Sequence, residues 1–169
     1  MELIKLSHYK ELTLDDPNYK TEGAAAIELH YCGYGNLNRQ DLYEPTLLPT
    51  GIKMHIADPN YVGILAARSS LGHKLDVQLS GGLGVIDSDY QGEIFVSAVA
   101  RPQLMHDYSE EYGKYRLQFD ESRDSATLIE PGQRIAQLLI VPIVRPNLVF
   151  VEEFTESSNR AGGFGSTGK

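Results

Sequence analysis

The sequence predicts an all-β protein built on one core. Its 16 glycines and 8 prolines are spread along 169 residues, and the segments between them are short and rich in Val, Ile, Leu and Tyr. Two-residue alternation of apolar and polar side chains occurs, whereas long stretches of 3.6-residue periodicity do not. A chain of this length with 41% hydrophobic residues can bury one core but not two.

The clearest strand surrounds residues 52–56. Ile52, Met54 and Ile56 alternate with polar residues, which directs one face inward and the other toward water. Further strands are predicted at 61–66, 93–99, 115–119 and 134–143, with weaker candidates at 26–31 and 149–154. The strands outnumber the helices, as expected for a sandwich or barrel.

A single helix is predicted over residues 69–74. Ser69 or Ser70 would cap its first backbone amides. Arg68 precedes the two hydroxyls, so the segment combines a guanidinium, hydroxyl donors and a helix start. These groups suit an oxyanion or polyphosphate site, although the pattern alone is weak.

The segment 85–93 places acidic side chains and a tyrosine directly after three glycines within residues 81–84. The glycines would let a planar ligand approach the backbone closely. Asp87 and Asp89 are expected on one side of a strand, where a carboxylate can act as a base or a metal ligand. A hairpin whose aspartates only cap turns is an equal alternative.

Two segments are expected to lie outside the core, which leaves a β domain over residues 1–156 and a C-terminal arm over 157–169. Residues 102–122 carry five acidic and three tyrosine side chains and are interpreted as a surface insertion, more often padding than a partner site. The arm is rich in glycine around Phe164 and is expected to be mobile unless a ligand or neighbour orders it.

The composition argues against several classes of protein. A formal charge of -8 and a pI of 5.1 disfavour a nucleic-acid coat or a basic membrane surface. Cys32 is the one cysteine, so no intrachain disulfide can form. The first residues lack a signal-peptide pattern, and the longest apolar run has seven residues with Pro142 inside. We expect a cytoplasmic protein.

The tail, residues 163–169, formally matches two phosphate-binding patterns, G-x-G-x-x-G and most of G-x-x-x-x-G-K-[ST]. Both patterns require a preceding strand and a following helix, so neither applies here. What remains is that glycine amides and the Ser166 and Thr167 hydroxyls can contact an anion. The five histidines show no metal-ligand spacing and no nucleophile elbow is found, so a hydrolase would have to use activated water.

Successive segments resemble those of the trimeric dUTPase family, in particular its bacterial type. They lie at residues 48–59, 68–74, 84–92, 134–137 and 162–168, and residues 25–29 match the family's first motif less closely. The third contains Ile-Asp-Ser-Asp-Tyr, and the fourth reads Arg-Ile-Ala-Gln. The resemblance spans roughly residues 20–169, and motifs found in this order are far more specific than any single pattern.

The resemblance implies a jelly-roll-like β-clip subunit assembled as a homotrimer, with active sites at subunit interfaces. It also implies hydrolysis of dUTP to dUMP and pyrophosphate, which limits uracil in DNA and supplies dUMP for dTMP synthesis. Asp87 would activate the water that attacks the α-phosphate, while Mg bridges the phosphates and Glu28 faces the ion through water. The implied partners are dUTP and further copies of the chain, without nucleic acid or membrane.

The resemblance also places the other site residues. Gln137 joins Asp87 in the catalytic set, Tyr90 would pack on the deoxyribose, and Phe164 would stack on uracil. The remaining substrate contacts would come from Arg68, Ser69, Ser70, Gly81, Val85, Ile86, Phe95, Arg160, Gly165, Ser166 and Thr167.

Several residues depart from the family pattern. Ala26 and Glu28 stand where the first motif usually has glycine and aspartate, so the carboxylate sits one methylene further out. Ser70 replaces a usual glycine, and Gly81 stands where asparagine is frequent. The arm is one residue shorter after Arg160. These changes leave the expected base in place and leave rate, metal dependence and base selectivity open.

Two alternatives compete with dUTP hydrolysis. A relative of the same fold could act on another pyrimidine deoxynucleotide, for example as a cytosine nucleotide deaminase. A nucleotide-sensing protein with reduced catalysis could instead bind a partner protein through residues 102–122. An assay of several nucleoside triphosphates that measures ammonia and pyrophosphate separately distinguishes a deaminase from a diphosphatase.

Overall fold

The computed structural model describes residues 1–100, 104–109, 114–119 and 127–156, and it is built of antiparallel strands. The strands are β1 Glu2–Lys5, β2 Ile27–His30, β3 Leu37–Asn38, β4 Thr46–His55, β5 Tyr61–Ala67, β6 Val77–Leu79, β7 Gly84–Ile86, β8 Glu93–Ala100, β9 Leu104–Ser109, β10 Lys114–Phe119, β11 Thr127–Ile129 and β12 Arg134–Pro142. Two short helices, α1 Ser7–Glu11 and α2 Ser69–Leu75, join them. No helix in these ranges is long and apolar enough to cross a membrane.

Two four-stranded sheets share one hydrophobic core. Their strand orders are β1-β4-β8-β6 and β2-β12-β5-β7, while β9 pairs with β10 and β3 pairs with β11. Leu48 and Val96 enter the core from the first sheet, and Leu65 and Leu138 enter it from the second. A Cβ added to Gly63 on β5 would lie 3.1 Å from Met54 Cε of the opposite sheet, so the sheets pack closely face to face. The predicted all-β, jelly-roll-like class is confirmed.

Most predicted elements appear near their expected bounds. Ile52, Met54 and Ile56 are buried on β4, as their alternation predicts. The predicted strands at 26–31, 61–66, 93–99, 115–119 and 134–143 correspond to β2, β5, β8, β10 and β12. The predicted helix at 69–74 is α2, but the expected serine cap is wrong. Arg68 holds the N-cap position with an extended backbone, which places both serines inside the helix.

The weak strand predicted at 149–154 is wrong. Residues 143–156 have no regular secondary structure, and their apolar side chains point into solvent. Phe150 is 97% exposed and Phe154 is 89% exposed. Burying a large aromatic side chain is worth on the order of 2 kcal/mol, and these exposed rings lack that stabilisation among the described residues of their own protomer.

The N-terminal segment docks on an irregularity in β4 that the sequence did not predict. The register between β4 and β8 shifts between Pro49 and Lys53, and Gly51 there has a φ of +67°. A Cβ at Gly51 would lie 2.7 Å from Tyr9 Cβ, so only glycine allows α1 to pack this closely. Tyr9 is 1% exposed and anchors α1 in the core.

Candidate active site

Asp87 lies in the turn that joins β7 to β8. The Tyr90 amide donates to the Asp87 carbonyl at 3.2 Å, which closes the turn after Ile86. The expectation that a strand carries both Asp87 and Asp89 is therefore wrong, because β7 ends at Ile86 and both residues belong to the turn. The two aspartates line one cavity of about 340 Å³ together with Arg145. Asp87, but not Asp89, also lines a second, mostly apolar cavity of about 260 Å³.

The cavity beside Asp87 is mostly apolar. Its walls are Leu65, Gly84, Val85, Ile86, Asp87, Tyr90, Glu93, Ile94 and Phe95. The five predicted residues Val85, Ile86, Asp87, Tyr90 and Phe95 are thus brought together. Gly81 is not in this wall; it lies in the turn between β6 and β7. An apolar cavity with a few polar groups at its rim suits the base and sugar of a nucleoside.

The ring of Tyr90 is held in one orientation. Its hydroxyl donates to the backbone carbonyl of Glu93 at 2.7 Å. A Cβ at Gly92 would collide with the Tyr90 hydroxyl, so the ring lies directly over this glycine. Glycine at position 92 is therefore needed for the ring to reach its acceptor.

The carboxylate of Glu93 is fixed by two donors from distant parts of the chain. Glu93 Oε1 accepts from the Gly51 amide at 2.8 Å and lies 2.9 Å from His8 Nε2. Both side chains are largely buried, with exposed fractions of 17% for His8 and 15% for Glu93. Sequence reasoning missed this contact, because the two residues are 85 positions apart and carry no motif.

A second group of site residues surrounds the carboxylate of Glu28 on β2. Arg68 Nη2 lies 2.9 Å from Glu28 Oε1, and Arg134 Nη1 donates to Glu28 Oε2 at 2.6 Å. Partial burial acts to raise the pKa of Glu28, but the Arg134 hydrogen bond and the Arg68 charge outweigh it and lower that pKa. Glu28 is expected to remain a carboxylate between two guanidinium groups.

The cations near α2 form a concave surface suited to anions. Arg68, Ser70, Lys74 and Arg134 line a cavity of about 250 Å³. Ser69 is exposed at the start of α2, outside this wall. Three positive side chains around one cavity provide the charge that a polyphosphate needs in an otherwise acidic chain.

Gln137 on β12 lies between β2, which carries Glu28, and β5, which leads to Arg68. It pairs in register with Glu28 on one side and Ala66 on the other, and its Nε2 donates to the Ala67 carbonyl at 3.2 Å. Together with Glu28 and Lys20 it lines a third cavity of about 410 Å³. Lys20 is a further cation that sequence reasoning missed, since it belongs to no motif.

Asp87 and the cations lie near opposite ends of β5. Gly63 pairs with Ile86, so Asp87 is beside the Val62 end of the strand, whereas Arg68 directly follows Ala67. Six residues of strand separate positions 62 and 68, a span of about 20 Å. The apolar cavity shares no wall residue with either cavity near Arg68 or Gln137. Within one protomer, the predicted site is split in two.

Five predicted contacts lie outside the described residues. They are Arg160, Phe164, Gly165, Ser166 and Thr167. Within the ranges that the structure describes, no group of three or more His, Cys, Asp and Glu side chains could hold a metal ion. Glu28 is therefore the one carboxylate in this cationic group available to an ion that is held mainly by other ligands.

The chain matches a family model described as dUTPase over residues 13–104 and 117–168. It is 42% identical over 160 residues to a deoxyuridine 5'-triphosphate nucleotidohydrolase of Francisella tularensis subsp. holarctica, covering 94% of this chain and 93% of the relative. A mutant dUTPase of Staphylococcus bacteriophage 80alpha with dUpNHpp has a TM-score of 0.70 at 26% identity, covering 99% of this chain and 98% of that one.

A second solved structure has a similar fold at lower identity. It is a mutant dUTPase from phage phi11 of S. aureus, described with a structural Mg(II) ion; its TM-score is 0.63 at 22% identity, with 92% of this chain and 98% of that chain covered. The family model and the 42% identical relative both extend over most of the sequence. This chain belongs to the dUTPase family.

Proposed function

We propose that this chain hydrolyses dUTP to dUMP and pyrophosphate. The observation that carries the proposal is the Asp87 carboxylate at the rim of an apolar, hairpin-walled cavity in a chain of the dUTPase family. The cavity suits a nucleoside, and the proposal assigns the carboxylate to a water beside the first phosphate.

In the proposed reaction Asp87 takes a proton from water as the water oxygen attacks the α-phosphorus. The bond from the α-phosphorus to the bridging oxygen breaks, and its electron pair leaves with pyrophosphate. Tyr90 packs against the deoxyribose, and the backbone of Gly84–Ile86 faces the base edge. Phe95 closes the cavity from β8. The proposal also includes contacts of Gly81 and Phe164 with uracil.

The phosphates are proposed to bind at the cationic end of β5. Arg68 and Arg134 supply guanidinium groups, and Ser69, Ser70 and Gln137 supply neutral donors. Arg160, Gly165, Ser166 and Thr167 would complete the contacts from the arm. Because Glu28 pairs with both arginines, a triphosphate must compete with this carboxylate for them.

The donor set near the cations fits magnesium only as an ion held mostly by phosphates and water. Mg²⁺ commonly keeps several waters and uses one or two protein carboxylates, and Glu28 is a single carboxylate. Glu28 would accept hydrogen bonds from the water shell of the ion. When bound, magnesium neutralises part of the phosphate charge.

We further propose that the site is shared between subunits of a homotrimer. Asp87 and Arg68 must act on the same triphosphate, yet about 20 Å of strand separates their positions in one protomer. Two copies can bring the apolar cavity of one to the cations of the other. The exposed apolar side chains of residues 143–156 supply surface that a neighbouring copy could bury.

The proposed activity is tested by measuring pyrophosphate and ammonia release from dUTP, dCTP, dTTP and UTP, with and without magnesium. Pyrophosphate from dUTP alone supports the proposal. Ammonia from dCTP would instead indicate the deaminase alternative, and no turnover with tight dUTP binding would indicate a nucleotide sensor.

The role of residues 102–122 stays a prediction. Among the residues that the structure describes, strands β9 and β10 pair only with each other, and the family model skips residues 105–116. We propose this hairpin as the contact surface if the chain also binds a partner protein. Deleting residues 102–122 should abolish such binding and leave pyrophosphate release intact; loss of both would assign the hairpin a structural role.

A further inference from the structure

The N-terminal segment of this chain packs against Glu93 in the wall of the apolar cavity, although residues 1–12 lie outside the family-model match. Strand β1 pairs with β4 from Glu2 opposite His55 to Lys5 opposite Ile52. The Leu6 amide then donates to the Gly51 carbonyl at 2.8 Å, which starts α1 directly over the irregularity in β4. This docking places His8, the second residue of α1, beside Glu93, the first residue of β8.

An unbroken set of contacts leads from His8 to the proposed sugar-binding ring. His8 Nε2 lies 2.9 Å from Glu93 Oε1, and the same oxygen accepts from the Gly51 amide. A carboxylate oxygen only accepts, so His8 is the donor in this contact. The backbone carbonyl of Glu93 in turn accepts from the Tyr90 hydroxyl at 2.7 Å.

These contacts fix the peptide on which Tyr90 depends. Glu93 is the first residue of β8, so its carbonyl lies where the turn meets the strand. Two buried donors hold its side chain, and a hydrogen bond to a charged group is about twice as strong as a neutral one. If the Glu93 side chain loosens, the acceptor of the Tyr90 hydroxyl moves with it.

We propose that His8 is a positioning residue that sets the preference for deoxyribose over ribose. It acts through Glu93 on Tyr90 and touches no substrate. The inference rests on the proposed function, in which Tyr90 packs against the deoxyribose. A ring free to shift would leave room for a 2'-hydroxyl, so a ribonucleotide would gain relative to the deoxyribonucleotide.

The test compares kcat/KM for dUTP and UTP in wild type, His8→Ala and His8→Gln. His8→Ala is expected to lower the dUTP preference about tenfold, with kcat for dUTP changed less than about twofold. His8→Gln retains a side-chain N–H donor and is expected to restore most of the preference. His55→Ala is the matched control, because His55 on β4 contacts a different glutamate, Glu2 on β1, at 3.7 Å.

An unchanged dUTP preference in His8→Ala, or an equal loss in His55→Ala, would overturn the inference and reduce α1 to a structural support. His8→Leu provides a second variant, because it fills similar space without a side-chain N–H donor. It is expected to shift the preference in the same direction as His8→Ala, and an unchanged preference overturns the inference even if His8→Ala fails to fold.

The outcome is separable from that of the proposed function. Wild-type chain that releases no pyrophosphate from dUTP refutes the proposed activity by itself. The same variants are then compared by equilibrium binding of dUpNHpp and its ribose counterpart. A fall in the deoxyribose preference of His8→Ala supports the positioning role, and an unchanged preference refutes it.

Discussion

The two ends of β5 carry opposite chemistry. At the Val62 end, Asp87 and Glu93 line a mostly apolar cavity whose walls hold no cation. Asp87 also lines a neighbouring cavity with Asp89 and one cation, Arg145. At the other end, Arg68, Lys74 and Arg134 surround one cavity. Glu28, the carboxylate beside these cations, forms ion pairs with Arg68 and Arg134, and its pKa is lowered. A general base needs the freedom that this pairing removes.

The separation has a chemical consequence if Arg68 and Arg134 bind the phosphates as proposed. Asp87 then forms no ion pair with these arginines before substrate arrives. Assembly of copies can then bring both ends to the same triphosphate. The predictions below probe one end at a time, beginning with the largest expected effect.

Asp87→Asn tests the apolar end. Loss of a general base is expected to reduce kcat about a thousandfold while dUpNHpp affinity changes less than about threefold, because the carboxamide keeps the shape of the side chain. Pyrophosphate release and calorimetric titration measure the two quantities. Asp89→Asn is the matched control, since Asp89 does not line the apolar cavity. Equal losses in both variants would contradict the assignment of the base.

Arg68→Ala tests the cationic end. Loss of a guanidinium contact to phosphate is expected to raise KM for dUTP about thirtyfold, with a smaller effect on kcat. Lys10→Ala removes an exposed cation of α1 and serves as the control for net charge. A variant with unchanged KM and reduced kcat would move Arg68 from phosphate binding to the chemical step.

Glu28→Gln sharpens the comparison, because it frees the arginines from their internal partner. Inorganic pyrophosphate is expected to bind about fivefold more tightly in the absence of magnesium. Glu28→Asp, one methylene shorter, should fall between wild type and Glu28→Gln. Isothermal titration measures the affinities, and identical values in all three proteins would show that Glu28 does not compete with phosphate.

The smallest effect concerns stability and pH. The folded-state pKa of Glu28 is below its ordinary value, so its pairing stabilises the folded chain above the unfolded-state pKa of about 4.3 and this contribution is lost as the pH falls through the folded-state pKa. Glu28→Gln should melt about 3 °C below wild type at neutral pH. That gap should close on acidification, and a gap that widens instead would contradict the sign of the shift.

The sequence predicted the strands with clear alternation and the helix after Arg68, because burial of one face leaves a direct trace in residue order. Ile52, Met54 and Ile56 illustrate this. It did not predict α1, whose five residues are helical because Tyr9 packs over Gly51 rather than through local propensity. Residues 143–156 fail for the opposite reason: their composition suggests a strand, but the described part of their own protomer supplies no strand partner for it.

The candidate site was predicted through family motifs, which name residues but not their contacts. Three of the residues that the motifs named, Asp87, Tyr90 and Phe95, line one cavity in the structure. They could not show that Glu28 joins Arg68 to Arg134, because this depends on the register of β2 against β12 and of β12 against β5. The contact of His8 with Glu93 depends likewise on tertiary packing.

The central claim, that Asp87 and Arg68 serve one substrate from different copies, is tested most directly by mixing two impaired variants. Asp87→Asn and Arg68→Ala chains are co-assembled in equal amounts and assayed at a dUTP concentration below KM. Sites with an intact Asp87 from one copy and an intact Arg68 from another should restore about a quarter of wild-type activity. A mixture no more active than the separate variants would place both residues in the same protomer's site and contradict the account.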